Sequence, residues 1–164
     1  MKASLVAAGI MLCSAQAFAQ PALPAADWSA WQPLVGEWVA DASPDGAVGG
    51  FSFALDLQKR VLVRKNVADY PKQKVHHEDL MVVYQDGAAT RADYWDNEGH
   101  VIHYSVAVSD GGKKYVFLGE AQPGKPRFRL SYTLTSPTKV ALSFEIAPPG
   151  REFKPYISAT AHKK

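Results

Sequence analysis

Ten short segments of alternating apolar and polar residues run through the chain, and turn-forming residues separate them. The alternation is plainest in Phe51–Leu57, Phe128–Leu134 and Val140–Ile146, where every second residue is large and apolar or aromatic. Successive side chains of a β-strand point to opposite faces of its sheet, so each segment has one face to bury. The predicted strands are 36–42, 51–57, 60–68, 78–85, 90–96, 101–108, 113–119, 127–134, 139–147 and 153–161.

The links between these segments are mostly short. Asp86-Gly87, Asn97-Glu98-Gly99 and Asp110-Gly111-Gly112 tolerate left-handed backbone, and Pro148-Pro149-Gly150 presets a bend. Short links favour antiparallel neighbours, and a sheet of many strands loses its exposed edges when it closes on itself. The sequence therefore predicts an all-β fold, an antiparallel and mostly up-and-down β-barrel of about ten strands.

One short N-terminal helix is predicted over residues 27–32. Asp27 can cap it, its two tryptophans lie one helical turn apart, and a proline follows it. The helix is too short to be stable alone. We expect it to cross one mouth of the barrel, with Trp31 and Leu34 plugging that end.

Residues 1–19 have the three regions of a secretory signal peptide. Lys2 gives a positive start, Ala3–Leu12 is an apolar run too short to span a bilayer, and Ala17-Phe18-Ala19 matches the small-x-small cleavage pattern. Cleavage there leaves residues 20–164 as a single domain and removes Cys13, the only cysteine. The sequence thus predicts a periplasmic or secreted bacterial protein without disulfides or cysteine-bound metal.

The net charge is only +2, and the basic residues are spread among acidic ones. A nucleic-acid-binding protein needs a basic face, so this distribution of charge argues against nucleic acid as a partner. A membrane span is not expected either. The expected partner is a small-molecule ligand, and the oligomeric state is left open.

A Gly-x-Trp motif stands at the start of the first strand, in Leu34-Val35-Gly36-Glu37-Trp38. It resembles the opening signature of the calycin superfamily, which includes lipocalins, fatty-acid-binding proteins and nitrobindin-like barrels. From about Leu34 onward the chain also resembles a family of secreted bacterial lipocalin-like proteins, through its segments 77–84, 96–104 and 145–150. The resemblance implies a closed barrel and no particular reaction.

Two further features of these families can be sought in the chain. Lipocalins bring an arginine onto the tryptophan of the motif, and the nearest match to that arginine is Arg151. Nitrobindin-like proteins hold haem through a histidine near the C-terminus, but the residues around His162 do not match their motif. We therefore expect neither haem nor another cofactor.

The densest polar cluster is the hairpin of the fifth and sixth predicted strands. A four-residue loop over 97–100 would pair Tyr94 with His103 and Trp95 with Ile102. The more apolar face of this hairpin is assigned to the barrel interior. That face carries Arg91, Asp93, Trp95, Ile102, Tyr104, Val106 and Val108.

A buried charge must be paired or meet a ligand. Arg91 and Asp93 can pair with each other, or Arg91 can bind a ligand carboxylate or phosphate within an aromatic wall. The expected function is the binding of a small apolar or amphipathic molecule, acidic if Arg91 anchors it, inside the barrel. The candidate ligand-binding residues are Arg91, Asp93, Trp95, His103, Tyr104 and Tyr132.

Two other functions remain open. An enzyme in the same cavity would use His103 as a base beside Tyr94, oriented by Asp96 or Glu98. A barrel filled by its many Phe and Trp side chains would instead be a scaffold or interaction module. Binding is preferred over catalysis, because a cross-strand His–Tyr pair is common as plain packing.

The five histidines also suggest a metal site. His76 and His77 are neighbours on a strand and point to opposite faces, and His100 and His103 are split in the same way. Such spacing does not bring imidazoles to one ion. We therefore expect no bound metal.

Overall fold

A computed structural model describes residues 26–43 and 46–164, and the predicted signal peptide lies outside the described residues. The described part contains one 3-10 turn, Ser29–Trp31, and ten β-strands. The strands are β1 (Gly36–Ala40), β2 (Val48–Asp56), β3 (Val61–Tyr70), β4 (Val75–Asp86), β5 (Ala89–Asp96), β6 (Val101–Ser109), β7 (Lys114–Gly119), β8 (Arg127–Ser136), β9 (Lys139–Ala147) and β10 (Lys154–Lys163). Each overlaps one predicted segment.

The ten strands form a closed antiparallel barrel. Each strand pairs with its neighbours in the sequence, and β1 pairs with β10 to complete the circle, with Trp38 opposite Lys163. Closure leaves no strand edge exposed, as short links between so many strands demand. The predicted all-β, up-and-down barrel is confirmed, and the architecture fits a calycin-like fold.

The predicted N-terminal helix is wrong, because only a 3-10 turn forms. Trp31 donates its backbone N–H to the carbonyl of Trp28 at 3.0 Å, and the Asp27 carboxylate accepts the N–H of Ser29 at 2.9 Å. The proline at position 33 follows at once, so too few residues remain for an α-helical ladder. The short turn is held by burial of its tryptophans rather than by its own hydrogen bonds.

This turn covers one end of the barrel, which we call the closed end. Trp28 donates its indole N–H to the carbonyl of Lys59, in the β2–β3 turn, at 2.8 Å. The Tyr115 hydroxyl donates to the carbonyl of Ala30 at 2.8 Å. The ring of Trp31 lies 5.0 Å from that of Tyr115, and Leu34 is fully buried beside them. The plug expected from Trp31 and Leu34 therefore forms without a helix.

Trp38 is fixed between the plug and the last strand. Its indole N–H donates to the carbonyl of Leu34 at 2.9 Å, and the ammonium of Lys163 lies 5.4 Å from its ring centre. Lys163 also donates to the carbonyl of Pro33 at 3.3 Å. The assignment of Arg151 to this role is wrong, because Arg151 belongs to the β9–β10 loop at the other end of the barrel.

Aromatic rings fill the barrel at mid-height. The ring of Tyr132 is at the centre of this layer, 5.2 Å from Phe51, 5.5 Å from Phe53 and 6.1 Å from Phe117. Tyr104 meets Phe117 edge to face at 6.0 Å. These rings form a layer between the closed end and the opposite end.

The opposite end, which we call the open end, is bounded by loops that include 71–74, 97–100, 120–126 and 148–153. Side chains that face inward here are only partly buried, and Tyr156 is 71% exposed. In the described ranges, no helix has the length and apolar character that a membrane crossing requires.

Candidate functional site

β5 and β6 pair in a register that differs by one residue from the predicted one. Trp95 lies opposite Val101, and Asp93 lies opposite His103. The loop has three residues rather than four, because Asp96 donates its backbone N–H to the carbonyl of His100 at 3.3 Å. A one-residue slip moves side chains to the other face of the sheet.

The slip moves three candidate residues of β5 to the outside of the barrel. Arg91 pairs with Glu120 at 3.3 Å, Asp93 contacts His103 at 2.6 Å, and Trp95 is 40% exposed. The expectation that Arg91, Asp93 and Trp95 point inward is therefore wrong. Arg91, Asp93 and His103 do come together, but in a surface groove of about 300 Å³ that is also lined by Glu120.

Tyr104 and Tyr132 are inside, as expected, and both are fully buried. They meet polar side chains from β3, β4 and β5 that sequence reasoning did not join into one site. We call this set the polar wall. It consists of Arg64, Asn66, His77, Asp79, Tyr94 and Asp96.

The deepest part of the polar wall is an ion pair between Arg64 and Asp79. Arg64 is 4% exposed, and its guanidinium donates to Asp79 Oδ1. Asn66 donates its amide N–H to Asp79 Oδ2 at 2.9 Å. Burial alone would lower the pKa of Arg64, but the neighbouring Tyr132 and Asp79 raise it above its usual value. The charged pair is therefore kept inside by hydrogen bonds that offset part of its desolvation.

Two buried polar atoms beside this pair have no hydrogen-bond partner among the described residues. They are Arg64 Nε and the Tyr132 hydroxyl oxygen. The guanidinium carbon of Arg64 lies 5.8 Å from the centre of the Tyr132 ring, so the two groups are neighbours. An unsatisfied buried donor costs about 1–3 kcal/mol, and native structures contain few of them. Burial raises the pKa of Tyr132 and a side-chain hydrogen bond with Arg64 opposes this rise, so the two groups partly satisfy each other.

His77 connects the buried pair to the surface at the open end. Its Nε2 lies 3.2 Å from Asp79 Oδ2 and 3.3 Å from the Tyr94 hydroxyl, and its Nδ1 lies 3.1 Å from Glu98 Oε1. The hydrogen bond to Asp79 raises the pKa of His77, burial opposes this effect, and Glu98 adds to it. The imidazole is thus poised to gain a proton at the rim of the barrel.

Tyr94 and Asp96 complete the network on β5. The Tyr94 hydroxyl donates to Asp96 Oδ2 at 3.2 Å, and burial, with the charges of Asp79 and Asp96, raises the pKa of Tyr94. Burial would raise the pKa of Asp96, but hydrogen bonds from His100 lower it below its usual value. A continuous hydrogen-bonded path therefore leads from Arg64 in the core to His100 at the surface.

The wall that faces these residues across the barrel is apolar. β9 lies five strands from β4 in the ten-stranded circle, so their inward faces oppose each other. Phe128 of β8 stacks on Phe144 of β9 with ring centres 5.9 Å apart, and Tyr156 of β10 meets Phe144 at 6.4 Å. We call this surface the apolar wall. The open end thus joins a hydrogen-bonding side to a hydrophobic side.

The signal for Arg64 was present in the sequence. Leu62 and Arg64 lie two apart, so an inward Leu62 in β3 carries Arg64 inward, and Asp79 and Met81 are related in the same way in β4. His77 shares that face. In the described ranges no group of three or more His, Cys, Asp or Glu side chains is arranged to hold a metal ion.

No protein-family model matches the sequence, and no curated protein matches it significantly. Function must therefore be argued from the contacts at the open end.

Proposed function

We propose that the barrel binds a small amphipathic molecule through its open end, as an exported lipocalin-like protein of the bacterial periplasm or exterior. The observation that carries the proposal is a pair of buried polar atoms whose hydrogen bonding is incomplete among the described residues, Arg64 Nε and the Tyr132 hydroxyl oxygen. The polar wall and the apolar wall supply complementary surfaces for the two parts of such a ligand. The aromatic layer around Tyr132 closes the space below and restricts the ligand to a short one.

The polar part of the ligand is best matched by an uncharged oxygen. Arg64 Nε donates a hydrogen bond and the Tyr132 hydroxyl can donate or accept one, so both are suited to a hydroxyl or carbonyl oxygen. Arg64 already has Asp79 as its counter-ion, and Glu98 stands at the mouth beside His77. A carboxylate would meet like charges there. The expectation of an acidic ligand depended on an inward Arg91.

A displacement experiment tests this function. The neutral fluorescent probe N-phenylnaphthylamine is bound to the protein and displaced by decanol or by decanoate. We expect decanol to compete better than decanoate at neutral pH. The variant Tyr132→Phe should bind decanol about fivefold more weakly, because a hydrogen bond is worth about 1 kcal/mol.

Tyr115→Phe is the matched control, because Tyr115 is also buried but bonds to Ala30 at the closed end. It should leave the affinity for decanol unchanged. If Tyr132→Phe and the unmodified protein bind decanol equally well, the Tyr132 hydroxyl does not contact the ligand. Failure of every amphiphile to displace the probe would favour a filled scaffold over a binding protein.

A second candidate function is proton transfer in the same mouth. The acid–base pair expected from Tyr94 and His103 does not form, but His77 Nε2 lies 3.3 Å from the Tyr94 hydroxyl with Asp79 behind it. This pair is suited to removing a proton beside a carbonyl group and returning one from solvent. Decanone incubated in heavy water would then exchange its α-hydrogens for deuterium, and His77→Gln would abolish the exchange. If the exchange does not exceed the background rate, ligand binding remains the one proposed function.

A further inference from the structure

A second concave site lies on the outside of the open end, between the β7–β8 and β9–β10 loops. It is a groove of about 400 Å³ that we call the Phe153 groove. Its charged and aromatic lining residues are Lys125, Arg127, Arg151, Glu152 and Phe153. Arg127 alternates with the inward Phe128 on β8 and therefore points away from the barrel interior. The groove is thus separate from the two inner walls.

Three cations of this groove have no ion pair among the described residues. Lys125, Arg127 and Arg151 contact no carboxylate within salt-bridge distance there, in contrast to Arg129, which binds Glu145 at 2.5 and 3.0 Å. The one carboxylate in the lining is Glu152. The pKa of Arg129 is raised mainly by its hydrogen bond to Glu145, and the charge of Glu152 adds to this effect. The groove therefore keeps an excess of positive charge.

Arg127 is held in place while one of its donors stays unused. Its guanidinium carbon lies 5.7 Å from the ring centre of Phe153, and that of Arg129 lies 4.3 Å from the same ring. Stacking of this kind fixes the plane of a guanidinium group. Arg127 Nε is nevertheless buried without a hydrogen-bond partner in the described part of the chain.

The other two cations are presented by matching turns. Lys125 donates its backbone N–H to the carbonyl of Gln122 at 3.2 Å, and Arg151 donates to that of Pro148 at 2.9 Å. Each cation is therefore the fourth residue of a β-turn, and a glycine with positive φ precedes it, Gly124 at 71° and Gly150 at 68°. Fixed backbones reduce the entropy that a bound anion would cost.

We propose that the Phe153 groove binds a phosphate monoester group. Three cations against one carboxylate leave a charge that matches such a group, which carries about −1.5 to −2 at neutral pH. The Arg127 side chain lines the groove, and a guanidinium group can donate to two phosphate oxygens at once. A soluble phosphorylated metabolite and the headgroup of a phosphatidic acid lipid share this chemistry.

Two titrations test the site and distinguish the sources. Glycerol phosphate is titrated into the full chain by isothermal calorimetry, and vesicles of phosphatidylcholine with or without phosphatidic acid are tested by co-sedimentation. Saturable binding of glycerol phosphate supports a soluble ligand. Binding only to the vesicles that contain phosphatidic acid supports a lipid headgroup, provided that the variants below weaken it.

Arg127→Gln should weaken binding by about tenfold or more, as expected for a lost charge-assisted hydrogen bond. The matched control is Arg91→Gln, which removes another outward arginine, one whose charge Glu120 already balances. If Arg127→Gln does not fold, Arg151→Gln in the exposed β9–β10 loop takes its place. The proposal would be overturned if neither glycerol phosphate nor the vesicles with phosphatidic acid bind. It would also be overturned if the Arg91 and Arg127 variants lose the same amount of affinity.

Discussion

Trp38 and Lys163 face each other across the seam where the first and last strands close the barrel. The lysine ammonium lies over the indole at 5.4 Å and reaches the carbonyl of Pro33 at 3.3 Å. One side chain of the last strand thus ties together the seam and the segment that covers the closed end. The contact joins residues near both limits of the barrel sequence.

Replacement of this lysine tests the seam. Lys163→Met keeps the aliphatic chain but removes the charge, and we expect the free energy of unfolding to fall by about 0.5–1 kcal/mol. Urea denaturation measures it. The adjacent Lys164→Met breaks only an exposed pair with Glu37 at 3.0 Å and should change stability by less than about 0.5 kcal/mol. Equal effects of the two substitutions would deny a special role to the Trp38 contact.

The close approach of β1 and β2 predicts a larger effect at Gly50. A Cβ atom there would overlap the carbonyl oxygen of Trp38, which is backbone and cannot rotate away. Gly50→Ala should therefore destabilise the barrel by about 2 kcal/mol or more, as strained or overpacked sites do.

Gly87→Ala provides the comparison for this substitution. Gly87 has a φ of 59° but open space around its Cβ position, so only backbone strain of about 1 kcal/mol opposes the new side chain. Thermal unfolding of both variants should rank Gly50→Ala as the less stable. The reverse ranking would mean that β1 and β2 can separate at little cost.

The buried ion pair predicts a strong dependence of each partner on the other. Arg64→Met should lower the free energy of unfolding by about 3–5 kcal/mol, because it leaves the Asp79 carboxylate buried without its counter-ion. Adding Asp79→Leu to this variant should recover a large part of the loss. Urea denaturation of the two single variants and the double variant gives the coupling energy, and simple additivity would contradict a buried pair.

The raised pKa of His77 predicts a stability that depends on pH. The proton is bound more tightly in the folded protein, so the stabilisation is fully present below the unfolded pKa of about 6.5 and is lost as pH rises through the higher folded pKa. His77→Gln removes this contribution. The difference in unfolding free energy between the two proteins should therefore shrink from mildly acidic to alkaline pH, and a difference that grows would contradict the assigned contacts.

Period-two alternation predicted the strands, and the short turn-rich links between them predicted the barrel. Alternation failed at the β5–β6 hairpin, because a three-residue and a four-residue loop fit the same sequence equally well by that criterion. The Asp96 carboxylate decides between them, since it accepts the N–H of Glu98 at 3.0 Å and that of His100 at 2.8 Å. Alternation alone carries no information about such a side chain to backbone contact.

The composition of the hairpin faces was misleading as well. The inward face of β5 includes the small Ala92, which is fully buried, whereas the large Trp95 is on the outer face between Leu80 and Val101. Arg64 was accessible to the same reasoning, because it alternates with Leu62 in a strand whose inward face is plainly apolar. The hydrogen-bonded network around Arg64 could not be predicted in this way, because its residues come from β3, β4 and β5 and come together only in the observed register.

The turn over residues 28–31 covers the closed end, so a ligand of the proposed kind would enter the described barrel from the open end. A molecule bound against Arg64 and Tyr132 as proposed would leave by the same route, past His77 and Tyr94. A substitution that only widens or narrows this passage would then change the association and dissociation rate constants by the same factor and leave their ratio unaltered. The residence time of such a ligand would depend both on this passage and on the contacts at Arg64 and Tyr132, whereas its affinity would depend on those contacts alone.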